Sequence, residues 1–202
     1  MEKGTFITFE GPDGSGKTTQ LQLTAKYLKS IGKDIVTTRE PGGTALAEKI
    51  RKLLLDPEDN PAPITELLLY LAARAEHVDK VILPALKAGK TVLCDRFSDS
   101  TVVYQGFVRG LPVDLILFLC KTAADGLEPD ITILLDGDPV TLAKRREKRG
   151  AKDRFELEGL QFQNKVRNGF LDLAATYGNR IKTIDATADE KTVQEKIREA
   201  LA

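Results

Sequence analysis

Thr5-Phe6-Ile7-Thr8-Phe9-Glu10-Gly11-Pro12-Asp13-Gly14-Ser15-Gly16-Lys17-Thr18-Thr19 is the stretch on which the fold turns. Thr5 to Glu10 has the length and β-branched content of a strand, and a helical pattern runs from Lys17 to about residue 30. Between them, Gly11 to Thr18 fits G-x-x-x-x-G-K-[ST], in the strand-to-helix setting that this motif requires. The glycines let backbone N–H groups turn inward around phosphate oxygens, the helix adds its positive end, and Lys17 adds charge. Thr18 is the expected magnesium ligand. The motif therefore reads as a nucleoside triphosphate site formed by Gly11, Pro12, Asp13, Gly14, Ser15, Gly16, Lys17, Thr18 and Thr19.

Outward from this loop, strand and helix alternate. Short β-branched runs recur at Ile35-Val36-Thr37-Thr38, Thr91 to Asp95, Ile131 to Asp136 and Ile181 to Asp185. Helical patterns fill the intervals, at about 44 to 54, 65 to 88, 98 to 124 with a break near Gly110-Leu111-Pro112, 139 to 148, 157 to 177 and 189 to 201. Asp138 before Pro139 reads as a helix cap, and Thr187 with Glu190 has capping-box spacing. The expected fold is α/β, a five-stranded parallel sheet with helices on both faces and ligands at the carboxyl ends of the strands. No repeat or long linker divides the 202 residues, so one domain over 1–202 is expected.

Composition narrows the partners. Lys plus Arg equal Asp plus Glu at 30 each, so no overall field favours nucleic acid or an anionic membrane. The longest apolar stretch, Leu67 to Ala73, is far short of the roughly 20 residues that span a bilayer. With strand-like sequence from Thr5, no leader is expected, and Cys94 and Cys120 lie in apolar runs, as buried reduced thiols do; a cytoplasmic address is expected. The one histidine, His77, has no ligand partners in the sequence and reads as a surface or helix-packing residue. Asp136 reads equally as a cap or a ligand. The run Leu115 to Cys120 reads as core or as a dimer face.

Two further strand ends carry chemistry: Thr38-Arg39-Glu40-Pro41-Gly42-Gly43-Thr44 and Asp95-Arg96-Phe97. Each sets acid beside base, as a structural ion pair or a phosphate site would. Together with Phe9 to Thr19, Glu66 to Arg74, Tyr104-Gln105-Gly106 and Asp153-Arg154-Phe155-Glu156, in this order and spacing, they make the chain resemble the thymidylate kinases over nearly its whole length. The resemblance implies a P-loop kinase with a mobile lid at about 144–155, magnesium as cofactor, ATP and dTMP as substrates, dTDP as product in a step of dTTP synthesis, and a homodimer.

It also implies roles. Arg96 and Arg39 would grip the dTMP phosphate, Asp95 would hold a magnesium-bound water or orient Arg96, and Glu40 would act in the same shell. Tyr70, where the family usually has phenylalanine, would stack on thymine, and Arg74 would bond its polar edge. Thr101 would lie near the base. Tyr104 would pack on the deoxyribose with Gln105 nearby, Asp13 would accept from the 3′-hydroxyl, and residues around Ala186 would approach adenine. The basic cluster from Lys144 to Arg154 resembles the lid and would bring Arg149, with Arg145 one turn earlier, to the transferred phosphate; a solvated helix end is the alternative. Since Gly14 and Ser15 carry no cation, the lid must supply it, as in the arrangement common in bacterial enzymes. No general base is needed, because the acceptor phosphate is already nucleophilic and phosphoryl transfer rests on positioning and charge stabilisation. A kinase for another nucleoside monophosphate would differ at Tyr70, Arg74 and Tyr104. A GTPase-like switch would need N-K-x-D, where this chain has Asn164-Lys165-Val166-Arg167.

Overall fold

The computed structural model describes residues 4–147, 155 and 158–202, without the side chains of 146 and 147. Five parallel strands, β1 (Phe6–Glu10), β2 (Ile35–Arg39), β3 (Thr91–Asp95), β4 (Ile131–Asp136) and β5 (Ile181–Asp185), stand in the order β2-β3-β1-β4-β5. The register aligns their carboxyl ends: Asp95 lies opposite Phe9 on one side and Arg39 on the other. Strand-end residues distant in sequence are thereby set in one row.

β1 is buried along its whole length, as a central strand covered on both faces must be. Ile7 and Phe9 point into a core shared with Leu21 and Ala25 of α1 (Lys17–Ser30) and Val193 and Ile197 of α9 (Glu190–Leu201). Phe6 points to the opposite face, where it meets Val78, Ile82 and the edge of the Phe97 ring. The same face continues as a third cluster built from α3 (Pro63–His77), α6 (Val113–Ala123) and α8 (Leu160–Thr176), centred on Leu67, Ile116 and Phe170. The remaining helices of the described residues are α2 (Ala45–Leu55), α4 (Leu83–Lys87), α5 (Ser98–Thr101) and α7 (Pro139–Glu147). None of the described helices is long and apolar enough to cross a membrane.

The helix expected at 65 to 88 is three pieces: α3, a π-helical turn at Val78–Ile82, and α4. Pro84 has no N–H and its ring crowds the carbonyl four residues back, so the preceding turn widens. The pattern from 98 to 124 likewise divides into α5, a π-helical segment Val102–Val108 and α6. Asp138 caps α7 by accepting from Thr141 N–H at 2.9 Å. The cap of α9 is not Thr187 but Asp189, which accepts from the N–H groups of Lys191 and Thr192, while Thr187 turns back to Asp185. A carboxylate next to the first turn outcompetes a more distant hydroxyl.

Ile133 in β4 is fully buried against both neighbouring strands and α1. Ile133→Ala should lower unfolding free energy by about 2–5 kcal/mol, read by urea denaturation; a loss below about 1 kcal/mol would mean that this core collapses around the gap.

Candidate active site

The loop after β1 turns on three glycines with positive φ: Gly11, Gly14 and Gly16. Gly11 has a second reason to lack a side chain, since a Cβ there would sit 2.3 Å from the Leu135 carbonyl oxygen of the next strand. Gly16 ends the loop and α1 begins at Lys17, whose Nζ donates to the carbonyls of Gly11 and Pro12 at 3.0 Å each. Burial and the nearby Arg96 push the Lys17 ammonium down to about 8, while Asp13, 3.9 Å away, opposes that shift.

Arg96 follows β3 with φ 68°, a left-handed conformation that is uncommon outside glycine. Its guanidinium donates through Nη2 to Asp13 Oδ1 at 2.6 Å and through Nη1 to the Gly11 carbonyl and the Ser100 hydroxyl. It also lies over the Tyr104 ring. Beside it, the Thr18 hydroxyl donates to Asp95 Oδ2 at 2.6 Å. This pairing of a hydroxyl with one carboxylate suits magnesium, which keeps most of its waters and takes few protein oxygens. Among the described residues no cluster of three or more His, Cys, Asp or Glu could form a separate metal cage.

Glu40 does not fit the metal shell expected for it. It is buried, with Oε2 accepting from Arg74 Nε at 2.8 Å and Oε1 accepting from His77 Nδ1 at 3.0 Å. Burial works against the Arg74 charge, but Glu40 outweighs it and holds the guanidinium well above its ordinary range. Arg74 also donates to Thr101 Oγ1 and Cys120 Sγ, and it stacks on Phe97. His77 is no surface residue. It is fully buried, with Nε2 against the Thr38 hydroxyl at 2.7 Å, and a Cβ on Gly43 would lie 2.4 Å from its ring. The Pro41-Gly42-Gly43 turn can thus close only over glycine, which at Gly43 also has φ 85°.

A cleft of about 790 Å³ runs between these parts, lined by Asp13, Lys17, Thr18, Arg39, Tyr70, Arg74, Asp95, Arg96, Thr101, Tyr104 and Gln105. Most of the expected residues of both substrate sides thus border one space; Gly11, Pro12 and Ser15 are not among those that line it, and Arg149 lies outside the described residues, as do 148–154 of the expected lid as a whole. The Gln105 amide donates to buried Glu66, and the Tyr104 hydroxyl reaches both Arg96 and Asp13 at 3.4 Å. Arg145 lines the cleft too, donating to the carbonyls of Ala186 and Thr187. Asp136 is neither cap nor exposed ligand, since Arg167 grips it with two bonds of 2.8 Å.

Sequence reasoning missed Glu48 and Arg51. Glu48 holds Arg39 through both carboxylate oxygens at 3.1 and 3.0 Å and accepts from Gly43 N–H, while Arg51 donates to the Pro41 carbonyl. Glu48, Arg51 and Leu55 all line the cleft, and their spacing of three and four along α2 was the signal that could have found them. Ser100 was missed as well; nothing in its sequence neighbourhood marks it.

The Glu40 geometry yields a test. Glu40→Ala strands the buried Arg74 charge and should cost about 3–5 kcal/mol of stability in magnesium-free buffer, measured by denaturant unfolding. A metal ligand would lose little under those conditions.

The thymidylate kinase family model matches residues 9–197. The chain is 47% identical to the thymidylate kinase of Pelobacter propionicus over 201 residues, covering 96% of this chain and 92% of that protein. It is 49% identical to that of Pelotomaculum thermopropionicum over 193 residues, covering 95% and 89%. The crystal structure of thymidylate kinase from Ehrlichia chaffeensis superposes with a TM-score of 0.81 at 38% identity, over 100% of both chains. Sequence and backbone agree over nearly the full length, and the chain belongs to the thymidylate kinase family.

Proposed function

We propose that ATP and dTMP lie end to end in the cleft, with the Gly11–Thr19 loop on the donor phosphates and Arg39, Arg96, Tyr70 and Arg74 on the acceptor. The reaction itself follows from the family: the chain is an enzyme that phosphorylates dTMP to dTDP with ATP. One observation carries the division of labour. Asp13 lies 3.9 Å from Lys17 and 2.6 Å from Arg96, so one carboxylate ties the donor-side cation to the acceptor-side cation.

Each side chain then has a task. Lys17 exchanges its loop carbonyls for the β and γ phosphates. Arg96 and Arg39 present planar forks to the dTMP phosphate, which arginine binds bidentately. Tyr70 offers its ring to thymine, Arg74 and Thr101 offer donors to the polar edge of the base, and Tyr104 and Gln105 border the sugar, with Asp13 accepting from its 3′-hydroxyl. Arg149 brings charge to the transferred group from the lid. Thr18 and Asp95 would hold magnesium, which when bound supplies positive charge to the donor phosphates.

The chain acts as one domain over 1–202 and works in the cytoplasm, where the unpaired thiols of Cys94 and Cys120 stay reduced. It acts as a homodimer through α3 and α6, which pack together and leave Ile64, Leu68, Leu115, Leu117 and Phe118 exposed on their outer side. Within the Leu115 to Cys120 run, Ile116 and Cys120 lie in the core, Leu119 packs partly against it, and Leu115, Leu117 and Phe118 are exposed. Exposed apolar side chains of this size suit a partner surface.

Lys17→Ala should reduce turnover at least about 10²-fold in a coupled ADP assay, the scale for loss of one charge-stabilising donor; near-normal turnover would remove Lys17 from the mechanism. Arg149→Ala should depress turnover more than dTMP affinity. A change confined to dTMP affinity would move Arg149 to the acceptor side. Phe118→Asp should convert a dimer to monomer in sedimentation equilibrium, and an unchanged mass would exclude this face.

A further inference from the structure

Glu10, the last residue of β1, is fully buried. Its hydrogen bonds go to Phe97, next to Arg96 in the chain, and to Ser100, which accepts from the Arg96 guanidinium. Oε1 accepts from the Phe97 N–H at 2.7 Å, and Oε2 accepts from the Ser100 hydroxyl at 2.5 Å. The Arg96 N–H, one residue before Phe97, donates to the Phe9 carbonyl, one residue before Glu10. The end of β1 therefore holds the peptide groups on both sides of the Arg96 α-carbon, the one with φ 68°. A left-handed arginine persists only where its surroundings over-determine it.

The side chain is fixed by the same carboxylate. A serine hydroxyl has one proton. Because the Ser100 proton is given to Glu10, the oxygen is left to accept, and it accepts from Arg96 Nη1 at 2.9 Å. Burial and neighbouring Asp99 push the Glu10 carboxyl up to about 7, while Arg96, the Ser100 hydroxyl and the Phe97 N–H favour its charged form.

We propose that Glu10 is a positioning residue for Arg96, setting its backbone through the Phe97 amide and its guanidinium through the Ser100 hydroxyl. This rests on Arg96 as a ligand of the dTMP phosphate. Removing the Glu10 charge frees the Ser100 proton to point at the guanidinium, where it repels instead of accepting, and the fork loses its orientation.

The test is a set of steady-state measurements on Glu10→Gln, Ser100→Ala, Arg96→Ala and the double variant Ser100→Ala/Arg96→Ala. Glu10→Gln and Ser100→Ala should each lower kcat/KM for dTMP about tenfold or more, the scale of one lost hydrogen bond to a charged group, with the KM for ATP unchanged. In the Arg96→Ala background, Ser100→Ala should add no further loss, a non-additivity that a purely structural role would not produce. If Glu10→Gln does not fold, Ser100→Ala and the cycle decide. Full additivity, or normal dTMP kinetics in both Glu10→Gln and Ser100→Ala, overturns the proposal while Arg96→Ala still shows a loss. Normal dTMP kinetics in Arg96→Ala overturns the reading of Arg96 itself and the proposal with it.

Discussion

Two cations in one low-dielectric cleft repel, and the site depends on how that repulsion is held in check. Burial and Arg96 lower Lys17, and Asp13, 3.9 Å from Lys17 and 2.6 Å from Arg96, opposes that together with Asp95 and Glu10. The same pairing recurs elsewhere along the cleft, where Arg74 is seated on Glu40 and Arg39 on Glu48. A cleft built to receive two polyanions thus carries its own anions before substrate arrives. Each fixes the direction of a guanidinium, so that little reorganisation is left for the moment of transfer.

The sheet makes this arrangement possible. Parallel register sets Phe9, Asp95 and Arg39 side by side, and the loops that follow β1, β2 and β3 emerge within reach of one another. Packing then links what register has aligned. His77, from the far end of α3, bonds both Thr38 in β2 and Glu40 just after it, so the turn at Pro41 to Gly43 and Arg74 share one anchor.

Much of this was legible in the chain. The glycine loop between strand and helix, the five β-branched runs and the acid-base pairs at strand ends are local patterns, and local patterns survive without coordinates. What escaped was contact between distant segments. Glu40 looked like a metal ligand beside Arg39 because the sequence does not show that α3 returns Arg74 and His77 to it. Glu48 and Arg51 lie on a helix with no motif, and their roles come only from its position over the Gly43 turn. The π-helical turn before Pro84 was open to chemical reasoning, but periodicity alone read straight through it.

The central claim is that this cleft reads thymine and deoxyribose as well as phosphate. Initial rates of ADP and nucleoside diphosphate formation, with ATP, magnesium and each of dTMP, dUMP, UMP, CMP, AMP and GMP in turn, test it most directly. A clear preference for dTMP is expected from Tyr70, Arg74 and Tyr104 around the acceptor. Preference for any other monophosphate would leave the phosphate machinery standing and contradict the base pocket described above.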